Sequence, residues 1–445
     1  MQRVAQPPVA LVSAAGRAMS APTVRLQIER IAAGGAGVGR GPDARVLFVQ
    51  RTAPGDLVEA ELTEQKQRWG RARLLRVVEA GPQRRAAPCP HYERCGGCTL
   101  EHLQYQAQLD AKRALAADAL ARIGGLTLPA AFPITGSPQE FRYRNRASFR
   151  LRRLGRTVVA GFHELARPAH VLDIDERCLL PEQPLATVWG ELRRSWGPGA
   201  ALLPAGGSLR LTLRTTLDGQ ATLLIQGGHS RGDPEAVLRR VPALAAIWLS
   251  PSSGQAPVLA AGADEVAETW GEDTIKLSGG SFLQVNRAAA ALLEAHVLTL
   301  AGDVAGRTVV DAYCGVGLYA RRLARARARV VGLELDPAAV QQAHLANAGD
   351  AVFRAGLVED LLPAALPADL VILNPPRTGL HEAVIATLRQ EPPARIIYVS
   401  CDPATLARDL GRLAGRFVLR SLHCFDLFPQ TAHVETVAEL ACSTT

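Results

Sequence analysis

Val309-Val310-Asp311-Ala312-Tyr313-Cys314-Gly315-Val316-Gly317-Leu318 decides the fold of this chain. A short apolar run ends on an acid, a Gly-x-Gly turn follows, and residues 318–328 carry a helical pattern. Val330-Val331-Gly332-Leu333-Glu334 reads as the next strand, with a helix over 337–347 behind it. Further out, Leu370-Val371-Ile372-Leu373 and Arg395-Ile396-Ile397-Tyr398-Val399-Ser400 are buried-type strands. Near-continuous apolar strands alternating with helices predict a doubly wound α/β sheet from about residue 276. Ligands of such sheets sit at the carboxyl ends of the strands, and Gly315 and Gly317 let one approach the backbone closely. Glu334 lies 17 residues beyond Gly317, where an acid accepts hydrogen bonds from ribose hydroxyls. A single unit of this kind, without a triple-glycine phosphate loop, favours the adenosine of S-adenosylmethionine over a dinucleotide.

Three more stretches fall at the same mouth. Asn374-Pro375-Pro376-Arg377 follows a strand end, and its prolines stiffen a turn there. Read alone, that turn points to methylation of an exocyclic amine held by Asn374, but Arg377 stands where an aromatic residue is usual. Ser400-Cys401-Asp402-Pro403 places a cysteine at a strand end, where helix amides are expected to lower its pKa and make it a nucleophile. The alternative is a buried structural cysteine. Phe425 to Thr436 contains His433 and Glu435, two candidate bases that a strand would put on one face.

The preceding half differs. Residues 22–82 alternate apolar and polar residues between glycine turns, which predicts a small five-stranded barrel. Arg68, Trp69, Arg71 and Arg73 decorate it, a pattern equally suited to nucleic-acid contact and to an edge strand with a core Trp. Residues 83–270 read as a mixed α+β region with a polar helix near 100–122. Within it, Phe141 to Arg150 is expected to be one strand with Arg142, Arg144 and Arg146 on a single face, a ridge that tracks phosphates. Residues 61–160 hold 18 Lys/Arg against 8 Asp/Glu, more than the whole chain's net +8. Such a basic segment beside a near-neutral one points to a polyanion partner.

No apolar run is long enough to cross a bilayer. Residues 4–15 are mildly apolar but broken by Pro7 and Pro8, a poor match to a secretory signal. Residues 1–21 are expected to be a disordered extension, with Met1 or Met19 as the start. A cytoplasmic, reduced chain is therefore expected, and its eight cysteines are not paired as disulfides. Cys89-x5-Cys95-x2-Cys98 with distant Cys178 gives four thiolates, which suit an iron–sulfur cluster or a four-cysteine zinc.

In this order the pieces resemble the RNA uracil-5 methyltransferases, in particular the bacterial 23S ribosomal RNA branch with an N-terminal TRAM domain. The match runs from about residue 22 to 440. Its most specific stretches are Cys89 to Cys98, Ser281-Phe282-Leu283-Gln284-Val285-Asn286, Ser400 to Pro403, and Phe428-Pro429-Gln430-Thr431-Ala432-His433-Val434-Glu435. The resemblance implies a TRAM barrel over 22–82, a central RNA-binding domain over 83–270 and a Rossmann-like methyltransferase domain over 271–445. It makes Cys401 the nucleophile and Glu435 the base, and puts Gln284, Tyr313, Gly315, Gly317, Leu318, Glu334 and Asn374 at the S-adenosylmethionine site. Cys89, Cys95, Cys98 and Cys178 would hold a [4Fe–4S] cluster, expected to be structural because no residue pattern links it to the cleft. Two positions depart from the family pattern: Asn374 replaces a usual Asp, and Leu318 replaces a polar residue. The expected product is 5-methyluridine in RNA, made by a monomer without a membrane or protein partner. The competing readings are a transfer-RNA enzyme, an amino-methyltransferase and a non-catalytic RNA-binding factor.

Overall fold

A computed structural model describes residues 22–128, 132–155, 157–250, 256–277, 283–346 and 349–443. The extension expected at 1–21, and Ser281-Phe282 of the motif quoted above, lie outside the described residues. Five strands from Thr23 to Glu79 close into the expected barrel. Alternate residues of its strands turn inward, so Leu26, Ile28, Leu47, Val49, Val58, Ala60 and Ala72 form its core.

The C-terminal sheet has eight strands in the order Ala351–Ala355, Arg329–Glu334, Thr308–Ala312, Leu370–Leu373, Arg395–Ser400, Glu435–Cys442, Phe417–Phe425 and Ile134–Thr135. The first five run parallel, and Glu435–Cys442 enters antiparallel beside Arg395–Ser400. Chain order reverses between Thr308–Ala312 and Leu370–Leu373, so the ligand crevice is expected above those two strand ends. Val309, Ile372, Ile397 and Val399 face one apolar layer, while Val310, Val371, Ile396 and Tyr398 face the other. That two-sided burial explains their unbroken apolar runs. The two helices behind the nucleotide-type turn are shorter than expected, Leu318–Arg325 and Pro337–Leu345.

Two elements of the segment assigned to the central domain belong to this core. The helix Tyr105–Arg122 buries Ala116 and Leu120 against Leu406, Ala407 and Leu410, and Ile134–Thr135 closes the sheet's far edge. The remainder of that segment builds a seven-stranded sheet. The strand expected over Phe141 to Arg150 begins only at Arg146 and runs to Leu154. Arg142 has φ 56°, outside the strand region. The amides of Arg142 and Arg144 donate to Leu179 and Leu180 carbonyls rather than to a sheet neighbour.

Candidate active site

Cys401 directly follows the strand Arg395–Ser400 and precedes the helix Pro403–Leu413. The ladder pairs Ser400 with Thr436, so the next step of that register sets Cys401 opposite Glu435. Glu435 opens its strand and is only 4 % exposed. No hydrogen bond to its carboxylate is found among the described residues. Burial pushes that carboxyl up to about 7, with the Arg377 guanidinium pulling the other way. Cys401 is half-buried. The expected lowering of its pKa is not found: burial, then the Glu435 charge, push the thiol up against a smaller pull from Arg377. The helix amides do not serve the sulfur, because the Asp402 carboxylate accepts those of Ala404 (2.9 Å) and Thr405 (3.0 Å). His433 does not share the strand face with Glu435; it lies exposed in the loop before the strand, its ring 5.9 Å from that of Phe428.

The nucleotide-type turn follows Thr308–Ala312, two places along the sheet from Arg395–Ser400. Tyr313, Gly315 and Gly317 all have positive φ, at 62°, 56° and 76°. A side chain at Gly317 would meet the Phe353 ring at 2.5 Å, whereas Gly315 faces open space, as close approach of a ligand needs. Leu318 is half-buried at the first helical position. Glu334 accepts the Gly315 amide (2.9 Å) and the Asp336 amide (2.9 Å), so it holds the turn in place. Asn374 follows the neighbouring strand and donates its amide to Ala312 O (3.3 Å). The carbonyls of Gln284 and Val285 accept from Asn145 Nδ2 (3.2 Å) and N (2.9 Å). Asp311 lies in the strand that leads into this turn. It is buried, its carboxyl is raised to about 7 by desolvation, and it accepts the Ala320 amide (3.0 Å) of the first helix.

The loop that carries Glu435 into the cleft is gripped from outside the sheet. Gln430, at φ 70°, has its carbonyl bonded by the amides of Thr99 (2.8 Å) and Leu100 (2.9 Å). Its amide donates to Gln108 Oε1 (2.9 Å), and Tyr143 Oη donates to Pro429 O (3.0 Å). Lys112, fully buried, pairs with Asp426 and donates to Phe428 O (3.0 Å). Nothing in the local pattern of the helix Tyr105–Arg122 signals Gln108 or Lys112, whose partners are more than 300 residues away. Removing one member of a buried ion pair strands the other charge. Lys112→Met should therefore destabilise the protein by about 3–5 kcal/mol, read as a lower urea midpoint at unchanged slope, and Lys112→Met with Asp426→Leu should recover much of it. A loss under about 1 kcal/mol would mean that this buried pair contributes little to stability.

The four cysteines gather at one apolar core with Tyr92, Tyr143, Leu172, Ile174 and Leu180. Cys89 and Cys178 lie within hydrogen-bonding reach of each other. Backbone amides of His91 and Leu179 point at the Cys89 sulfur, that of Leu180 at Cys178, and that of Gly97 at Cys95 (3.3 Å). Arg51 crosses from the barrel to the carbonyls of Tyr92 (2.6 Å), Cys95 (2.6 Å) and Cys98 (2.8 Å). Among the described residues no three His, Cys, Asp or Glu side chains converge on one ion. The core is also tied to the cleft: Tyr143 and the two residues after Cys98 bond the loop at Pro429 and Gln430. No residue pattern in the sequence marks this tie, because its partners lie more than 280 residues apart.

The expected ridge is corrected. Arg142 donates to the carbonyls of Cys178 (2.7 Å) and Pro181 (3.3 Å), and the Arg144 guanidinium lies 5.7 Å from the Phe428 ring. Because the chain turns at Arg142, only Arg146 remains on the sheet.

Residues 358–441 match the family described as tRNA (Uracil-5-)-methyltransferase, and residues 17–75 match the TRAM domain. An uncharacterized RNA methyltransferase of Gloeobacter violaceus is 36% identical over 96% of this chain and 98% of its own length. One from Halalkalibacterium halodurans is 32% identical over 94% and 96%. Among solved structures, the chain is similar to Pyrococcus abyssi tRNA (uracil-54, C5)-methyltransferase in complex with S-adenosyl-L-homocysteine, with 26% identity and a TM-score of 0.73. That similarity covers 94% of this chain and 100% of the other. No described helix is long and apolar enough to cross a membrane.

Proposed function

The chain belongs to the RNA uracil-5-methyltransferase family, with an N-terminal TRAM domain, and we propose that it methylates C5 of one uridine in 23S ribosomal RNA through a covalent Cys401 adduct. The observation that carries this is the register that sets Cys401 opposite Glu435 at the mouth of the cofactor crevice. C5 of uracil is too weak a nucleophile to attack a sulfonium methyl unaided. Addition of the Cys401 sulfur, once its proton has left, at C6 moves an electron pair onto the enolate and so onto C5. C5 then takes the methyl group from S-adenosylmethionine. Glu435 accepts the remaining C5 proton, the C5–C6 double bond re-forms and the sulfur leaves. Gln284, Tyr313, Gly315, Gly317, Leu318, Glu334 and Asn374 form the cofactor wall, with Leu318 contributing backbone. The target uracil leaves its stack to reach Cys401, which costs a few kcal/mol and is cheapest in a loop. An amino-methyltransferase built on Asn374-Pro375-Pro376 would leave the Cys401–Glu435 pair without a task.

The barrel joined to a four-cysteine segment supports the ribosomal reading. Transfer RNA is the second reading, favoured by the Pyrococcus abyssi neighbour. Mapping 5-methyluridine in ribosomal and transfer RNA of a deletion strain separates them. A modification missing from 23S RNA alone supports the proposal, and one missing from transfer RNA alone overturns it.

We infer further that Cys89, Cys95, Cys98 and Cys178 hold a [4Fe–4S] cluster. The spacing Cys89-x5-Cys95-x2-Cys98 with Cys178 and the amide donors around the Cys89, Cys95 and Cys178 sulfurs support this reading. The cluster supplies structure, holding the Cys89–Cys98 segment and so the loop bonded to it. Anaerobically purified protein should be brown, with roughly four iron and four sulfide per chain. Stoichiometric zinc without iron, in protein never exposed to air, would sink the assignment.

A further inference from the structure

The positive charge of this chain is not distributed as its sequence suggests. On the barrel, Arg71, Arg73 and Arg76 pair with Glu64, Glu61 and Glu59 of the adjacent strand. On the seven-stranded sheet the opposite holds. The strand Arg146–Leu154 runs antiparallel to Ser208–Thr215, with Arg150 directly opposite Arg210 and Arg152 opposite Ser208. Odd-numbered residues of both strands, among them Phe149, Leu151, Leu209 and Leu211, are buried in one core. Even-numbered residues therefore share the other face, which the Ser148 Oγ to Thr212 Oγ1 contact (2.8 Å) confirms.

Arg152 and Arg210 are exposed on that face, and Arg146 and Arg150 are half-buried. None of the four forms a salt bridge or a side-chain hydrogen bond among the described residues. Their charged neighbours are other arginines: Arg210 acts on both Arg146 and Arg150, Arg152 on Arg150, and Arg146 stands opposite the buried Arg214, beyond which lie Glu182 and Glu268. Like charges facing each other across a ladder are destabilising. A row without a carboxylate is explained by an anion that arrives from outside. The row also has a direction. Its inner end adjoins Asn145, which bonds the Gln284–Val285 segment at the cofactor wall. From Arg146 to Arg152 it extends roughly 20 Å at about 3.4 Å per residue.

We propose that this face, with Arg150, Arg152 and Arg210 at its centre, binds the phosphates of the RNA strand that leads out of the cleft. The proposal rests on the RNA-methyltransferase reading for the identity of the polyanion. It differs from the ridge of Arg142, Arg144 and Arg146, two of which bond the protein interior.

The test is the triple variant Arg150→Ala/Arg152→Ala/Arg210→Ala in the full chain, titrated with a uridine-containing RNA hairpin over a salt series. Each phosphate contact on a single strand contributes about 0.7 to the slope of log K against log salt. The slope should fall by about 2, so that binding is roughly a hundredfold weaker near 0.1 M salt and converges with wild type near 1 M. S-adenosylmethionine binding and the thermal midpoint should be unchanged. The triple Lys variant, which keeps charge, should restore the slope. An unchanged slope in the Ala variant, while the wild type methylates uridine, overturns the surface and leaves the reading intact. A fallen slope in a protein that transfers no methyl group to any RNA supports the surface and sinks the reading.

Discussion

Cys401→Ala is expected to abolish formation of 5-methyluridine while leaving S-adenosylmethionine bound. Without a sulfur at C6 no enolate forms, and C5 lacks the electron density to displace the methyl group. The fall in single-turnover methyl incorporation should reach at least about 10⁴-fold, the scale on which loss of a covalent nucleophile acts. Cofactor affinity, measured by calorimetry, should stay within about twofold, because Cys401 follows a strand two places along the sheet from the one that leads into the turn at Gly315 and Gly317. In the wild type, burial and the Glu435 charge push the Cys401 thiol up. The sulfur is thus mostly protonated at neutral pH, and its thiolate fraction grows as pH rises. The addition step should accordingly speed up with pH. Near-normal methyl transfer by Cys401→Ala would reject covalent catalysis and favour an amine substrate held at Asn374.

What the sequence disclosed and what it hid follow from the range of the interactions involved. The strand-turn-helix unit around Gly315 and Gly317 was legible because its signals are local: an apolar run, two glycines that need positive φ, and an acid at the next strand end. The barrel was legible for the same reason, since alternation along one strand reports burial directly. Cys401 and Glu435 could each be singled out as chemistry-bearing residues. Their opposition could not, because it depends on Glu435–Cys442 pairing with Arg395–Ser400 in one register, a long-range choice. The phosphate ridge failed on a single backbone angle, the positive φ of Arg142, which ends the alternation that the reading assumed. Arg150 and Arg210 carry no local signal at all. They lie 60 residues apart in the chain and face each other only through the ladder. The helix Tyr105–Arg122 was recognised as a helix but assigned to the wrong neighbours, because the loop at Phe428 to Gln430 that it grips lies near the other end of the chain.

Glu435→Gln should convert the enzyme from a catalyst into a trap. After methyl transfer C5 carries both a methyl group and a proton, and C6 is still bonded to the Cys401 sulfur. Breakdown requires loss of the C5 proton, whose electron pair re-forms the C5–C6 double bond and expels the sulfur. Glutamine keeps the size of the side chain but accepts no proton, and the buried position of Glu435 admits few substitutes. The variant should complete addition and methylation, then stall as a covalent protein–RNA complex. On a denaturing gel this is a slow band that carries both labelled RNA and labelled methyl, in up to one equivalent per active chain. Cys401→Ala should give no such band. In the wild type, a carboxyl raised to about 7 is half protonated near neutral pH. Only the carboxylate accepts the proton, so the release step should slow about tenfold per unit as pH falls below about 7, with adduct accumulating at acid pH. Normal turnover by Glu435→Gln would transfer the base role to another group, His433 being the nearest imidazole on the same loop. An inactive variant without adduct would place Glu435 earlier, in holding the flipped uracil for attack. A band that contains RNA but no methyl label would show that Glu435 is needed before methyl transfer and not after it.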